Sequence, residues 1–265
     1  MSGLDPNWSV PNLPPFHKLF SLNLLLSFAT SYFFFYLASR FAKKYLWTEF
    51  KDFKQVATIA FDSICGCWVF LFAITHPIIM FTDPVFYFKP WMKIITICII
   101  GYLIHDAVDM LRYEISRWTI ELLLHHFASG FVMSVAACGE RFTVYAYWSL
   151  LMEVNSIFLH ARTLFQLSGA SETYPNAYKT IKMLNIITFV IFRFFVQIWQ
   201  TYFVIVWRTH FNYFYYCCGF YGGLLFLAIN TLLFARILAA DGYLGSGFKK
   251  RMAINRDEQK TAKAK

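Results

Sequence analysis

The sequence predicts an all-α protein, a polytopic membrane helix bundle of six to seven spanning helices. Three observations lead there. The chain is 58% hydrophobic and 15% charged with a mean hydropathy of +0.48, and a water-soluble domain needs more polar surface than that. Seven apolar runs come near the ~20 residues that cross a bilayer as a helix. Basic residues collect in the short loops and the tail, as the positive-inside rule expects of a multi-pass protein.

The runs fall at 16–37, 56–81, 91–110, 121–139, 142–165, 181–207 and 213–238. The start of the chain lacks the basic region and small-residue cleavage site of a signal peptide, so the first run is expected to remain as a helix. Asn7-Trp8-Ser9 is a glycosylation sequon close to the membrane. His76-Pro77 should kink the second helix or end its regular part, because proline lacks the N–H that helix continuation needs. Ser168-Gly169-Ala170-Ser171 followed by Pro175 marks the loop between the fifth and sixth helices. Trp47, Trp91, Trp118 and Trp207 fall near run ends, where amphipathic rings settle at the membrane interface.

Loop charge sets the expected orientation. No lysine or arginine precedes Lys18, whereas the first loop carries Arg40, Lys43, Lys44, Lys51 and Lys54. Arg112 and Arg117 occupy the third loop, Lys179 and Lys182 the fifth, and lysines and arginines fill the tail after Lys249. With seven crossings these segments share one side, which puts the N-terminus outside and the C-terminus in the cytosol. The expected organisation is an extracellular segment at 1–15, a first helix and basic loop at 16–50, a helix bundle at 51–240 and a basic cytosolic tail at 241–265. The tail is read as disordered or resting on anionic headgroups.

The formal charge of +9 is spread over loops and tail and forms no nucleic-acid patch, so nucleic acid is not an expected partner. Cys65, Cys67, Cys98, Cys138, Cys217 and Cys218 lie in or at the edge of apolar runs, which reads as buried free thiols, not a secreted disulfide framework.

Ionisable groups inside the apolar runs carry the functional signal, because an acid at mid-membrane costs roughly 2.5–3.5 kcal/mol on insertion scales. His105, Asp106 and Asp109 stand at the end of the third run, with His105 and Asp109 spaced i,i+4 and Asp106 and Asp109 spaced i,i+3. Such a carboxylate fixes an imidazole tautomer and raises its basicity, or else the group caps the helix and pairs with Arg112 and Arg117. Glu121 precedes His125 by one turn and is placed to accept its ring N–H. His125 and His126 are adjacent, so at about 100° per residue they point in different directions. One can serve as nucleophile or general base while the other holds packing. In the fifth run Glu153, Ser156 and His160 share one side of the helix, and Asn155 and Arg162 the nearly opposite side. Two polar stripes imply a helix surrounded by protein. Arg193, Gln197 and Gln200 share a face of the sixth run. The expected cavity lining is His105, Asp106, Asp109, Glu121, Glu153, Asn155, His160 and Arg193 beside the His125-His126 pair. The His and Asp spacing matches no tight ligand signature, so no metal site is expected.

Asp106-x-x-Asp109 followed by Trp118-x-x-Glu121-x-x-x-His125-His126 resembles the signature of TLC-domain membrane proteins. That family includes ceramide synthases, translocation-associated membrane proteins and membrane-fluidity regulators. In the synthases the pair matching His125 and His126 is implicated in acyl transfer, and the next helix carries a His-Asp-x-x-Asp motif. The matching stretch here is Met152-Glu153-Val154-Asn155-Ser156, which lacks the histidine and the second acid. The stretch from Leu151 to Leu159 followed by Arg162 is more similar to the fluidity regulators. That resemblance implies a plasma-membrane protein that limits incorporation of long-chain polyunsaturated acyl groups into phospholipids, leaning away from an enzyme and needing no cofactor. The implied partners are membrane lipids or acyl chains, with a second copy of the chain or a lipid-metabolising enzyme as further candidates. Two alternatives stand beside it. One is an acyl-CoA-dependent acyltransferase of the ceramide-synthase type, with His125 and His126 catalytic and acyl-CoA as substrate; the endoplasmic reticulum is the alternative compartment for the chain. The other is a translocation-associated structural protein.

Overall fold

The computed structural model describes residues 21–45, 53–113 and 117–244, and every regular element of more than one residue among them is a helix. The sequon at Asn7, the first basic loop beyond Tyr45 and the tail beyond Leu244 lie outside the described residues. The helices are α1 (Leu22–Tyr45), α2 (Phe53–Thr75), α3 (Pro77–Thr82), α4 (Pro90–Tyr113), α5 (Arg117–Gly139), α6 (Thr143–Leu150), α7 (Met152–Leu167), α8 (Ala170–Thr173), α9 (Pro175–Val206) and α10 (Tyr213–Ala240). Within α9 the stretch Val190–Phe195 is a π-helical turn.

Among the described residues, all seven apolar runs are mainly helical. Five stretches among the described residues are long and apolar enough to cross a membrane: Leu22–Phe41, Pro90–Arg112, Leu122–Gly139, Pro175–Val206 and Tyr213–Ala240. The apolar part of α2 is shorter, Ala60–Thr75. The run at 142–165 is two helices in series, because the Leu151 N–H turns back to Trp148 O (3.1 Å) and tightens the chain between them. α2 ends at Thr75 and Pro77 opens α3, so His76-Pro77 terminates the helix instead of merely bending it.

The core lies where α2, α4 and α6 meet. Val69 and Phe72 pack with Met92, Ile99 and Ile100 around Tyr147, which is 0% exposed. Trp148 stacks on Trp199 of α9 (centroids 4.1 Å apart) and donates its indole N–H to Met80 O (2.8 Å). This donor would otherwise be unsatisfied away from water. The helix ends are fastened differently. At one end Phe142 N–H reaches Val85 O (2.7 Å) and Tyr145 N–H reaches Pro84 O (3.0 Å). Phe142 sits there at φ 61, a left-handed conformation unusual for phenylalanine, with its ring against Tyr145, Phe211 and Tyr215. Lys93 pairs with Glu140 at the same end (2.8 Å). At the other end Arg162 Nη2 holds Asp241 Oδ1 (2.7 Å), with Lys182 Nζ at 3.8 Å, which ties α7, α9 and α10 together. Arg162 is thus paired across two helices.

α1 packs on α4 through Ser31, whose hydroxyl donates to Cys98 O (3.2 Å). Its remaining surface exposes Leu26, Phe33, Phe34 and Leu37, the composition of a lipid-facing helix. All six cysteines are free thiols.

α2 crosses α7 at Gly66, where an added Cβ would lie 3.0 Å from Val154 N and 3.2 Å from the Glu153 carbonyl carbon. Only glycine permits that approach of two backbones, and the approach brings Asp62, one turn earlier, to α7. Gly66→Val is expected to destabilise the bundle by about 1–3 kcal/mol, the usual range for overpacking. Gly130→Ala, where a Cβ meets nothing within 4 Å, should be neutral or stabilising. Thermal unfolding of both variants in detergent, read by intrinsic fluorescence, checks the contrast.

Candidate functional site

A cavity of about 410 Å³ lies among α2, α4, α5, α7, α9 and α10. Phe61, Ile99, Leu103, Met133, Leu159, Phe226, Ile229 and Leu233 contribute its apolar wall. Asp62, Asp106, His125, His126, Glu153, Ser156, His160, Arg193, Gln197 and Gln200 contribute the polar part.

The α4 wall is the stripe Ile99, Tyr102, Leu103, Asp106 and Met110. These positions follow the i, i+3, i+4, i+7 pattern of one helical face, with Asp106 within it. Asp106 Oδ2 is 3.1 Å from His126 Nε2, and His126 Nδ1 is 2.8 Å from Leu122 O. A carbonyl oxygen only accepts, so Nδ1 carries a hydrogen. One further proton must then lie between Nε2 and Asp106, on either partner. Both ring nitrogens of His126 are therefore engaged. His125 is different. Its ring sits edge-on to Phe226 (5.1 Å) and to His126 (5.8 Å), and its nitrogens take no hydrogen bond from a described residue.

On α7, Glu153, Ser156 and His160 face the cavity as one stripe. His160 Nε2 stands 3.4 Å from Asp62 Oδ2, an oxygen that is buried and receives no well-aligned hydrogen bond. The other stripe of α7 turns to α9 and α10. Asn155 is 0% exposed; its amide donates toward Asn185 O (2.9 Å), Asn185 Oδ1 (3.0 Å) and Thr188 Oγ1 (3.0 Å). Its Oδ1 accepts from Arg193 Nε (2.7 Å). Arg193 also donates from Nη1 to Asn230 Oδ1 of α10 (3.1 Å) and from Nη2 to Ser156 Oγ (2.8 Å). At the far end of the cavity Gln200 donates to Tyr145 O (2.8 Å) and Ser149 Oγ (2.9 Å).

The structure thus brings Asp106, His125, His126, Glu153, His160 and Arg193 together, and places three other expected lining residues elsewhere. His105 is buried but lies beside Tyr32 of α1 (6.1 Å between ring centroids), away from the cavity. Asp109 is half-buried and outside the lining. The reason is helix phase: at about 100° per residue Asp109 falls to one side of the Asp106 stripe, and His105 lies further round toward α1. Asn155 stands behind Arg193 and holds it, without forming the wall. The side chain of Glu121 lies outside the described residues. The partner that fixes a ring of the histidine pair is Asp106, and the ring is His126. Asp62 was absent from the sequence reading because it stands alone in its run with no motif around it. An acid inside a predicted span was the available signal. Among the described residues no three His, Cys, Asp or Glu side chains gather closely enough to hold a metal ion.

Comparison with known proteins agrees with this architecture. The TLC-domain profile matches residues 54–239. TLC domain-containing protein 2 of Danio rerio is 29% identical over 199 residues, which cover 74% of this chain and 78% of the relative. TLC domain-containing protein 2 of Mus musculus is 32% identical over 122 residues (46% and 39% of the two chains), and TLC domain-containing protein 1 of Gallus gallus is 36% identical over 102 residues (38% and 39%). The matched stretch therefore spans less than half the length of the mouse and chicken relatives. No solved structure matches the chain. A profile covering well over half of the sequence, on a bundle of apolar helices, makes this chain a multi-pass membrane protein of the TLC-domain family, and that membership supports a role with membrane lipids.

Proposed function

We propose that this protein regulates membrane phospholipid composition and fluidity, limiting the incorporation of polyunsaturated long-chain acyl groups into phospholipids. In this reading it holds an acyl chain or a phospholipid head in the cavity and so withholds that lipid from incorporation. It works at the plasma membrane with its N-terminus outside and its C-terminus in the cytosol. The carrying observation is the cavity itself. Its volume of about 410 Å³ is in the ~300–1,000 Å³ range of small-molecule sites. An apolar wall with a few converging polar groups suits a chain-bearing ligand, since each buried CH₂ contributes about 0.8 kcal/mol.

Gly222 lines this cavity, and a Cβ there would meet nothing within 4 Å. Gly222→Phe should therefore fill the space without displacing a helix. Lipid co-purifying with the full chain, measured by mass spectrometry, is expected to fall at least about tenfold, equivalent to ~1.4 kcal/mol of binding. In cells lacking the protein, polyunsaturated phospholipids should rise. The wild-type chain should reverse the rise and Gly222→Phe should not. A purified protein that carries no lipid and extracts none from vesicles overturns the proposal.

A second reading, an acyl-CoA-dependent acyltransferase, is favoured by the unengaged nitrogens of His125 in the cavity. His125 would take a proton from a lipid amine or hydroxyl as that group attacks the thioester carbonyl. The C–S bond would break, and the proton would pass to the leaving thiolate. Under this reading His125→Ala abolishes acyl transfer while leaving the unfolding temperature unchanged. His126→Ala lowers the unfolding temperature, because it removes the ring that links Asp106 of α4 to α5. The measurements are transfer from labelled acyl-CoA and a thermal melt on the same preparations. Unchanged cellular lipid composition after substitution of both histidines, with the fold intact, rules this reading out.

A further inference from the structure

We propose that Arg193 is an oxyanion site: the cavity takes a lipid whose negatively charged end, a carboxylate or a phosphate, docks on this guanidinium. The inference rests on the lipid-holding reading above and names the chemistry of the lipid.

A guanidinium has five N–H donors. Three of those on Arg193 are committed, one each to Asn155 Oδ1, Asn230 Oδ1 and Ser156 Oγ. One N–H on each terminal nitrogen is left over. All three acceptors are neutral, and no carboxylate of a described residue forms an ion pair with Arg193. The residue is only 7% exposed, and it is one of the residues that line the cavity. Buried charges are ordinarily paired, and an ionisable group inside a membrane ordinarily marks a ligand path.

The cradle also fixes the fork. Asn155 is itself held by Asn185 and Thr188, and Asn230 is 1% exposed, so neither acceptor is free to swing. A planar fork fixed in this way, with one donor left on each tip, can take a carboxylate or phosphate through two hydrogen bonds. Gln197, one turn further along α9, supplies a neutral polar side chain on the same wall. The apolar residues Phe226, Ile229 and Leu233 of α10 lie on the cavity wall, where a chain attached to that anion would run. Asp62 and Glu153 share the cavity and act on Arg193 through space. They are the internal rivals of the proposed ligand.

The test compares oleate with methyl oleate, which differ only at the carboxyl group, and adds dioleoyl phosphatidic acid as a phosphate probe. The full chain, purified in detergent, is titrated with oleate, methyl oleate and dioleoyl phosphatidic acid at alkaline pH, with native mass spectrometry as readout. Oleate is expected to bind at least about tenfold more tightly than methyl oleate, as one charge-assisted hydrogen bond suffices to produce. Arg193→Gln should erase that difference. Preference for oleate identifies a fatty-acid carboxylate, and preference for phosphatidic acid alone identifies a phosphate; both support the site. Equal affinity for oleate, phosphatidic acid and methyl oleate overturns it while leaving a lipid-holding cavity in place. Preference for oleate that survives in Arg193→Gln also overturns it. Binding of none of the three overturns this inference together with the reading beneath it. Should Arg193→Gln fail to fold, the three-lipid comparison on the wild-type chain still decides.

Discussion

A guanidinium buried in a membrane bundle is the constraint from which the arrangement of α7, α9 and α10 follows. Placing an arginine at the centre of a spanning helix costs about 2.5–3.5 kcal/mol on insertion scales. Hydrogen bonds to a charged group contribute about 1.5–3 kcal/mol each. Arg193 makes three, to Asn155 and Ser156 of α7 and Asn230 of α10. That is sufficient to offset the cost, but only if all three helices occupy the positions at which their side chains meet. The π-helical turn Val190–Phe195 contains the arginine and widens the helix there. Such turns characteristically re-aim a side chain at a functional position. Asn155 then carries the connection back into α9 through Asn185 and Thr188, so one residue serves as acceptor for the charge and donor for the packing.

The charges are sorted by depth. At the helix ends they pair directly: Lys93 with Glu140 at one end, Arg162 and Lys182 with Asp241 at the other. Between them the guanidinium is held by neutral amides and a hydroxyl, while Asp62 and Asp106 face imidazoles. Direct ion pairs near the ends tolerate water and screening. In the middle, a fully paired Arg–carboxylate would be self-contained and would leave nothing to offer. A neutral cradle instead fixes the position of the charge while leaving part of its hydrogen-bonding capacity directed to the cavity. On the proposed docking of an anion at Arg193, the polar part of the wall would take the head of the ligand and the apolar part its chain.

The helices were legible because each carries its own signal: a run of apolar residues of sufficient length, a His76-Pro77 stop, a Gly169 break at φ 74 before Pro175. The two-stripe reading of α7 was legible as well. Glu153, Ser156 and His160 face the cavity, while Asn155 and Arg162 face α9 and α10. What periodicity does not supply is phase. Spacing shows that Asp106 and Asp109 sit about one turn apart, yet it does not say which of them points inward, and a rotation of about 60° separates a lining residue from one outside. Phase is set by what packs behind the helix, here α1 against α4, and that is a tertiary fact. Asp62 carried one local signal, an acid inside a predicted span, but its place in the cavity depends on Gly66 letting α2 approach α7, which spacing does not show.

The histidine pair shows how one turn of helix divides its labour. Adjacent residues point about 100° apart, so the two rings meet different surroundings. His126 is closed on both sides, by its own helix at Leu122 O and by Asp106 across the α4–α5 interface. That makes it a bolt between two spans, with no lone pair to spare for a reacting group. His125, packed edge-on to Phe226, keeps its nitrogens for whatever enters the cavity. An activity requiring an unprotonated imidazole nitrogen must therefore fall to His125, with His126 acting only to hold the helix in place. A protein that merely stores a lipid needs the second of these functions and can dispense with the first. The chemistry of the cavity is thus decided at one side chain, whereas its shape is decided by the other and by the cradle around Arg193.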